Sequence, residues 1–311
     1  MTAALSILLP IFGLILAGFV CRRTGVLGGA AAGELNRFVV WLGLPALLFD
    51  IVSRSTVAQL SQIDVLLPFG AATGLVFAAV LWLRWKSGRP LADASVEAVA
   101  ASYSNAGFLG FPLAYLVFGP ESQAPVTLAT MVVVCALFAI AVIVIRAGME
   151  GGRLGADAMI KVVGSLGRNP LIVAPIAGAL AAALGLAIPA PVQTWLELLG
   201  QAASPVALVS LGLFLAEKRA ATTARHVPLM LSAIKLVALP LATWFIAVPL
   251  LQVPRATAQL VVMLSALPTG TGPYMLAEFY RREAVVTSQT ILWSTMGSLV
   301  TLSVLLALFR A

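Results

Sequence analysis

Ten stretches of about twenty mostly apolar residues follow one another along the chain, and they fix what it can become. They run Leu5–Cys21, Leu35–Val52, Val65–Trp85, Ser95–Phe118, Val126–Ile145, Pro170–Ile188, Val192–Ala216, Val227–Leu251, Ala256–Phe279 and Val285–Phe309. A helix of that length crosses the hydrocarbon layer of a bilayer, about 30 Å thick. Composition agrees. Of 311 residues, 61% are hydrophobic and 10% charged, against about 45–50% and 25% in a soluble domain. No soluble fold of this length has interior for that excess, whereas lipid covers it directly. The expected fold class is therefore all-α integral membrane, with ten transmembrane helices and only short connections. The lipid bilayer is its first partner.

The net charge of +7 would point to nucleic acid in a soluble protein. Here the basic residues mark alternate connections. After the odd-numbered spans come Arg22, Arg23 and Arg37, then Arg84, Lys86 and Arg89, then Arg146, Arg153, Lys161 and Arg168, then Lys218, Arg219 and Arg225, then Arg281 and Arg282. The other side has only Arg54, Arg255 and Arg310, and Lys235 lies inside the eighth run. By the positive-inside rule both termini face away from the cytoplasm. No nucleic-acid surface is expected. Cys21 and Cys135 form no CxxC, and the lone His226 leaves no multi-histidine metal site. No metal or cofactor is expected. No Lys or Arg precedes Arg22, so the first run reads as a retained span rather than a signal peptide.

The chain also matches itself. At an offset of 160, Pro10 meets Pro170, Gly18 meets Gly178, Gly25 meets Gly185, Pro45 meets Pro205 and Pro68 meets Pro228. One residue further, Ser104 meets Ser265, Pro112 meets Pro273 and Phe118 meets Phe279. Four of the first seven prolines find a proline partner, where chance offers fewer than one. Each copy, residues 1–150 and residues 151–311, holds five spans. An odd number forces the second copy to enter from the opposite face, so the two are inverted repeats, the architecture of secondary transporters.

Spans four and nine differ from the rest. One carries Ser104, Asn105, Gly107 and Pro112; the other carries Pro268, Thr269, Gly270, Thr271 and Pro273. Gly and Pro in mid-span break the backbone ladder. In lipid each freed N–H or C=O costs several kcal/mol, so such a segment must be buried in protein or line a wet cavity. Matched interrupted helices in two repeats are the sequence mark of a transporter site. The N-terminus of a half-helix draws anions, and the Ser, Asn and Thr side chains add neutral donors and acceptors. These nine residues are the candidate substrate contacts.

The stretch Ser104-Asn105-Ala106-Gly107-Phe108-Leu109-Gly110-Phe111-Pro112-Leu113 resembles the fourth-helix signature of the auxin efflux carrier family. That family includes plant auxin exporters and bacterial permeases for malonate and related acids, and is similar in fold to sodium–bile acid symporters. The resemblance covers the whole chain. It implies five-plus-five inverted spans, crossed helices four and nine, a substrate-facing amide at Asn105, crossover prolines at Pro112 and Pro273, and a homodimer. The long cytoplasmic loop of plant members is absent, since the middle connection runs only from Ala147 to Asn169.

Among ionisable groups, Lys235 sits about a third of the way into span eight, ahead of Pro240, and is a candidate for charge coupling or proton exchange, or else snorkels to the interface that His226 marks. Asp50, near Arg54, is a second such candidate or else a local ion pair. Glu97, Glu197 and Glu278 read as interfacial. The leading function is a secondary transporter of small organic anions. Alternatives are a cation- or proton-coupled symporter of another solute, a membrane-embedded enzyme and a channel. Against an enzyme, the sequence has no HExxH, no GxSxG and no acidic cluster in its spans. Reporter fusions at Ala311 and within Gly151–Arg168 should label opposite sides of the membrane; labelling on one side would refute the ten-span reading.

Overall fold

A helix satisfies its backbone within its own segment, which is what hydrocarbon demands of any spanning structure. The computed structural model describes residues 2–56, 59, 61–149, 164, 167–217 and 226–310. Its helices are α1 (Thr2–Arg23), α2 (Ala31–Arg54), α3 (Ile63–Lys86), α4 (Leu91–Ser102), α5 (Ala106–Phe118) and α6 (Pro120–Met149). They continue with α7 (Pro170–Ala183), α8 (Ala190–Ala216), α9 (His226–Leu250), α10 (Arg255–Ala266), α11 (Gly272–Phe279) and α12 (Ala284–Arg310). Among the described residues there is no strand, only one isolated antiparallel pairing. Six helices, α2, α3, α6, α8, α9 and α12, are each long and apolar enough to cross a membrane alone. The fourth and ninth runs are each split into two helices, and the sixth is the 14-residue α7. The basic residues Arg153, Lys161, Lys218, Arg219 and Arg225 lie outside the described residues.

Proline shapes the long helices. It lacks an N–H, and its ring crowds the carbonyl four residues back. At some prolines the turn ahead is wide, which relieves that crowding. Wide turns occur at Val39–Gly43 before Pro45, at Ala106–Gly110 before Pro112 and at Ile234–Ala238 before Pro240.

The chain forms two compact units, and each draws on both sequence halves. One comprises Met1–Gln62, Gly107–Leu128 and Arg168–Lys218; the other comprises Ile63–Ala106, Ala129–Gly167 and Arg219–Ala311. In the first, α1 packs along α8, and α2 packs against α7 and α8. Lipid tails are as apolar as leucine, so helices associate in the bilayer through close backbone approach at small residues. A Cβ on Gly18 would collide with the Val209 carbonyl, and one on Gly212 with the Ile15 carbonyl. A Cβ on Gly178 would stand 2.8 Å from the Phe49 oxygen.

In the second unit α3 packs on α4, α4 on the later part of α6, and α9 on α12. Charges tie this unit together. Glu97, which the sequence places at an interface, is only 2% exposed and takes hydrogen bonds from Arg84 and, at 3.0 Å, from Arg89. Arg89 also reaches Glu283 at 2.8 Å. Arg282 grips Asp93 with two bonds of 2.7 Å, and that carboxylate holds the guanidinium above its ordinary pKa.

Gly212→Leu should lower the thermal midpoint of the detergent-solubilised protein, because overpacking a close helix contact costs about 1–3 kcal/mol. Gly13→Leu, where an added Cβ meets nothing within 4 Å, should leave the midpoint near that of the parent. Equal midpoints for both variants would contradict this account of the packing.

Candidate functional site

The two breaks meet within the second unit. α4 ends at Ser102, and Tyr103 turns extended at φ −80°, ψ 100°. α10 ends at Ala266, and Leu267 leaves it at φ −59°, ψ 150°. The freed segments then run antiparallel, with Ser104 opposite Thr269. The Asn105 N–H donates to the Pro268 carbonyl at 2.9 Å, and the Gly270 N–H donates to the Tyr103 carbonyl at 3.3 Å. Each break thus satisfies backbone groups of the other.

Side chains complete this exchange. The Thr269 hydroxyl donates to the Ala100 carbonyl at the end of α4 (2.8 Å), while the Thr269 N–H donates to the Ser294 hydroxyl on α12 (3.1 Å). The Ser104 hydroxyl donates to the Ser265 carbonyl at 3.5 Å. Lys235 supplies the charged partner. Its ammonium donates to the Ser265 carbonyl at 2.6 Å and to the Leu267 carbonyl at 2.5 Å, at the C-terminal end of α10, where the helix dipole is negative. The whole Lys235 side chain is buried. Among the described residues no carboxylate pairs with it.

Asn105 stands apart. It is 3% exposed, and its Nδ2 is buried with no partner among the described residues. A buried amide donor left without an acceptor costs about 1–3 kcal/mol. It also offers that donor to any acceptor that arrives. A Cβ on Gly270 would stand 3.4 Å from the Asn105 Cα; α11 begins two residues after that glycine, at Gly272–Pro273, and Thr271 makes no side-chain cap. The start of α11 is thus the positive end of a helix dipole. The glycines here are fixed by an aromatic wall. Tyr103 stacks on Phe138 with ring centroids 5.1 Å apart. A Cβ on Gly270 would come within 2.8 Å of the Tyr103 ring, and one on Gly272 within 2.6 Å of Phe138.

Of the residues singled out in the sequence, Ser104, Asn105, Pro268, Thr269, Gly270, Thr271, Pro273 and Lys235 fall together in this unit. Gly107 and Pro112 lie on α5, in the other unit. Asp50 also lies there, bound at 2.5 Å by Arg54, which holds Glu197 at 2.6 Å as well. Asp50 therefore has the local ion pair that its spacing from Arg54 allows. Sequence reasoning missed Tyr103, Phe138 and Ser294. Tyr103 directly precedes the break and could have been suspected. Ser294 belongs to a buried hydroxyl stripe on α12, with Thr287, Thr290 and Ser298, whose spacing of three to four residues was legible.

Comparison with known proteins gives a consistent picture. Residues 3–306 match the family described as membrane transport protein. A protein of Rhizobium meliloti (strain 1021), provisionally named a malonate transporter, is 32% identical over 310 residues, covering 98% of this chain and 96% of that protein. The uncharacterized transporter YfdV of Escherichia coli (strain K12) is 23% identical, with 94% of each chain covered. An uncharacterized transporter of Methanocaldococcus jannaschii is 22% identical, with 96% of each covered.

Proposed function

The chain belongs to the family of membrane transport proteins, the auxin efflux carrier family, and from that premise we propose that it is a secondary transporter of small carboxylates of the malonate class. It is a multi-pass membrane protein and a transporter rather than an enzyme. The finer reading is alternating access with the solute held where broken spans four and nine cross. Ten crossings in two inverted repeats, with both termini outside a bacterial inner membrane, complete this reading. They require α4 with α5, and α10 with α11, each to cross as a pair.

One observation carries the substrate class: the buried, unpartnered Nδ2 of Asn105 beside the start of α11. A donor held without an acceptor, next to a positive helix end, is suited to a carboxylate oxygen. The Lys235 ammonium adds positive potential through the Ser265 and Leu267 carbonyls it binds. The Thr269 hydroxyl proton is already given to Ala100, which leaves its oxygen as an acceptor and makes Asn105 the main donor. The name of the Rhizobium relative supports malonate as the first solute to try.

Asn105→Ala should cut malonate uptake into proteoliposomes at least about tenfold, in line with the 1.5–3 kcal/mol of a hydrogen bond to a charged group. Its thermal midpoint should not fall, because among the described residues the Asn105 Nδ2 has no hydrogen-bond partner to lose. Thr269→Ser should transport nearly as well as the parent. Parent-like uptake by Asn105→Ala would remove the residue from the site.

A further inference from the structure

Two backbone carbonyls at an unwound helix end converge on one positive charge, and that charge belongs to the chain itself. The Ser265 and Leu267 oxygens lie 2.6 and 2.5 Å from the Lys235 ammonium. In secondary transporters such unwound carbonyls and half-helix C-terminal ends coordinate the coupling cation. We propose that the Lys235 ammonium is a tethered replacement for that cation, so that the crossing is held together, and the solute carried, without sodium. This inference rests on the carboxylate-transport reading and adds to it the identity of the resident counter-charge.

Three features support the assignment. First, Lys235 is fully buried, and among the described residues its only acceptors are carbonyls of the α10 end. A buried ammonium needs compensation, and here it comes from backbone dipoles, as it does for a bound metal cation. Second, the residue lies within the wide turn Ile234–Ala238, ahead of Pro240. Such turns are frequent at functional positions. Third, capping alone does not call for a charge. The α4 end, at the same crossing, has its Ala100 carbonyl met by the neutral Thr269 hydroxyl. The register that pairs Pro68 with Pro228 puts Leu75, an exposed apolar residue, opposite Lys235. One helix end therefore carries a cation and the other does not.

Truncating Lys235 would uncover a space bounded by the Ser265 and Leu267 carbonyls, with the Ser104 hydroxyl bonded to the first of them. Oxygens of that kind suit a small hard cation. The test compares the parent, Lys235→Ala and Lys235→Arg in choline, sodium and ethylammonium chloride at one ionic strength. Thermal midpoints are measured on purified protein, and malonate counterflow in proteoliposomes. The parent should show the same midpoint in all three salts and counterflow equal within about twofold. Lys235→Ala should lose at least about tenfold in choline, with the loss of two charge-assisted bonds. It should recover both midpoint and counterflow in sodium or in ethylammonium, which restores the missing group. Lys235→Arg, which keeps the charge, should be weakened yet indifferent to sodium.

A parent that needs sodium would overturn the proposal. So would a Lys235→Ala protein that behaves alike in all three salts, whether active, inactive or unfolded in each. If the parent carries no carboxylate, the transport reading fails, while the salt dependence of the midpoints still decides the role of Lys235.

Discussion

Everything at the crossing in the second unit depends on a backbone exchange between two broken helices. Within hydrocarbon, an N–H or C=O without a partner costs several kcal/mol. The helices cannot break singly, because neither could cover its own open ends. Broken opposite one another, they trade the Asn105–Pro268 and Gly270–Tyr103 hydrogen bonds and so permit an interruption deep in the chain's apolar body. Residues that look like kinks in the sequence become necessary in this arrangement. Gly270 and Gly272 must lack a Cβ because Tyr103 and Phe138 press against them. Thr269 and Lys235 attend to the helix ends that the exchange leaves open.

From this constraint follows a division of roles. Thr269 is committed to Ala100 through its hydroxyl and to Ser294 through its N–H, and Ser104 leans on the Ser265 carbonyl. They build the crossing. Asn105 spends its backbone N–H on the crossing but keeps its side-chain amide unspent. Buried polar groups in proteins are almost always bonded, and the exceptions call for a reason. A visiting acceptor is such a reason, and the membership of a transport family supplies the setting.

Much of this could be read from the residues. The apolar runs marked an all-helical membrane protein, because a bilayer leaves the backbone few alternatives, and six of its helices are long and apolar enough to cross alone. The breaks at Tyr103–Asn105 and Leu267–Thr271 were signalled by the Gly and Pro residues around them, which are rare in mid-span without cause, although Gly107 and Pro112 themselves lie within α5. Other features lay beyond reach. Nothing local distinguishes Glu97, tied to Arg84 and Arg89, from an interfacial carboxylate, since its burial depends on how α3 meets α4. Linear sequence also hides that each compact unit is assembled from both halves. Lys235 stood out as a charge in an apolar run, but that its partners are carbonyls of α10 is a fact of tertiary structure. Asp50 was legible as an ion pair with Arg54 through their spacing, while the link onward to Glu197 on α8 was not.

Transport of this kind requires the crossing to bind small carboxylates. The most direct measurement is the thermal midpoint of the purified protein across short dicarboxylates, monocarboxylates, aromatic acids and neutral solutes. A ligand that binds only the folded state stabilises it by mass action, by about 2.7 kcal/mol at a concentration one hundred times its Kd. We expect a saturable rise in midpoint with malonate-class dicarboxylates and none with neutral solutes. A protein indifferent to every carboxylate but stabilised by a neutral or cationic solute would contradict the central claim.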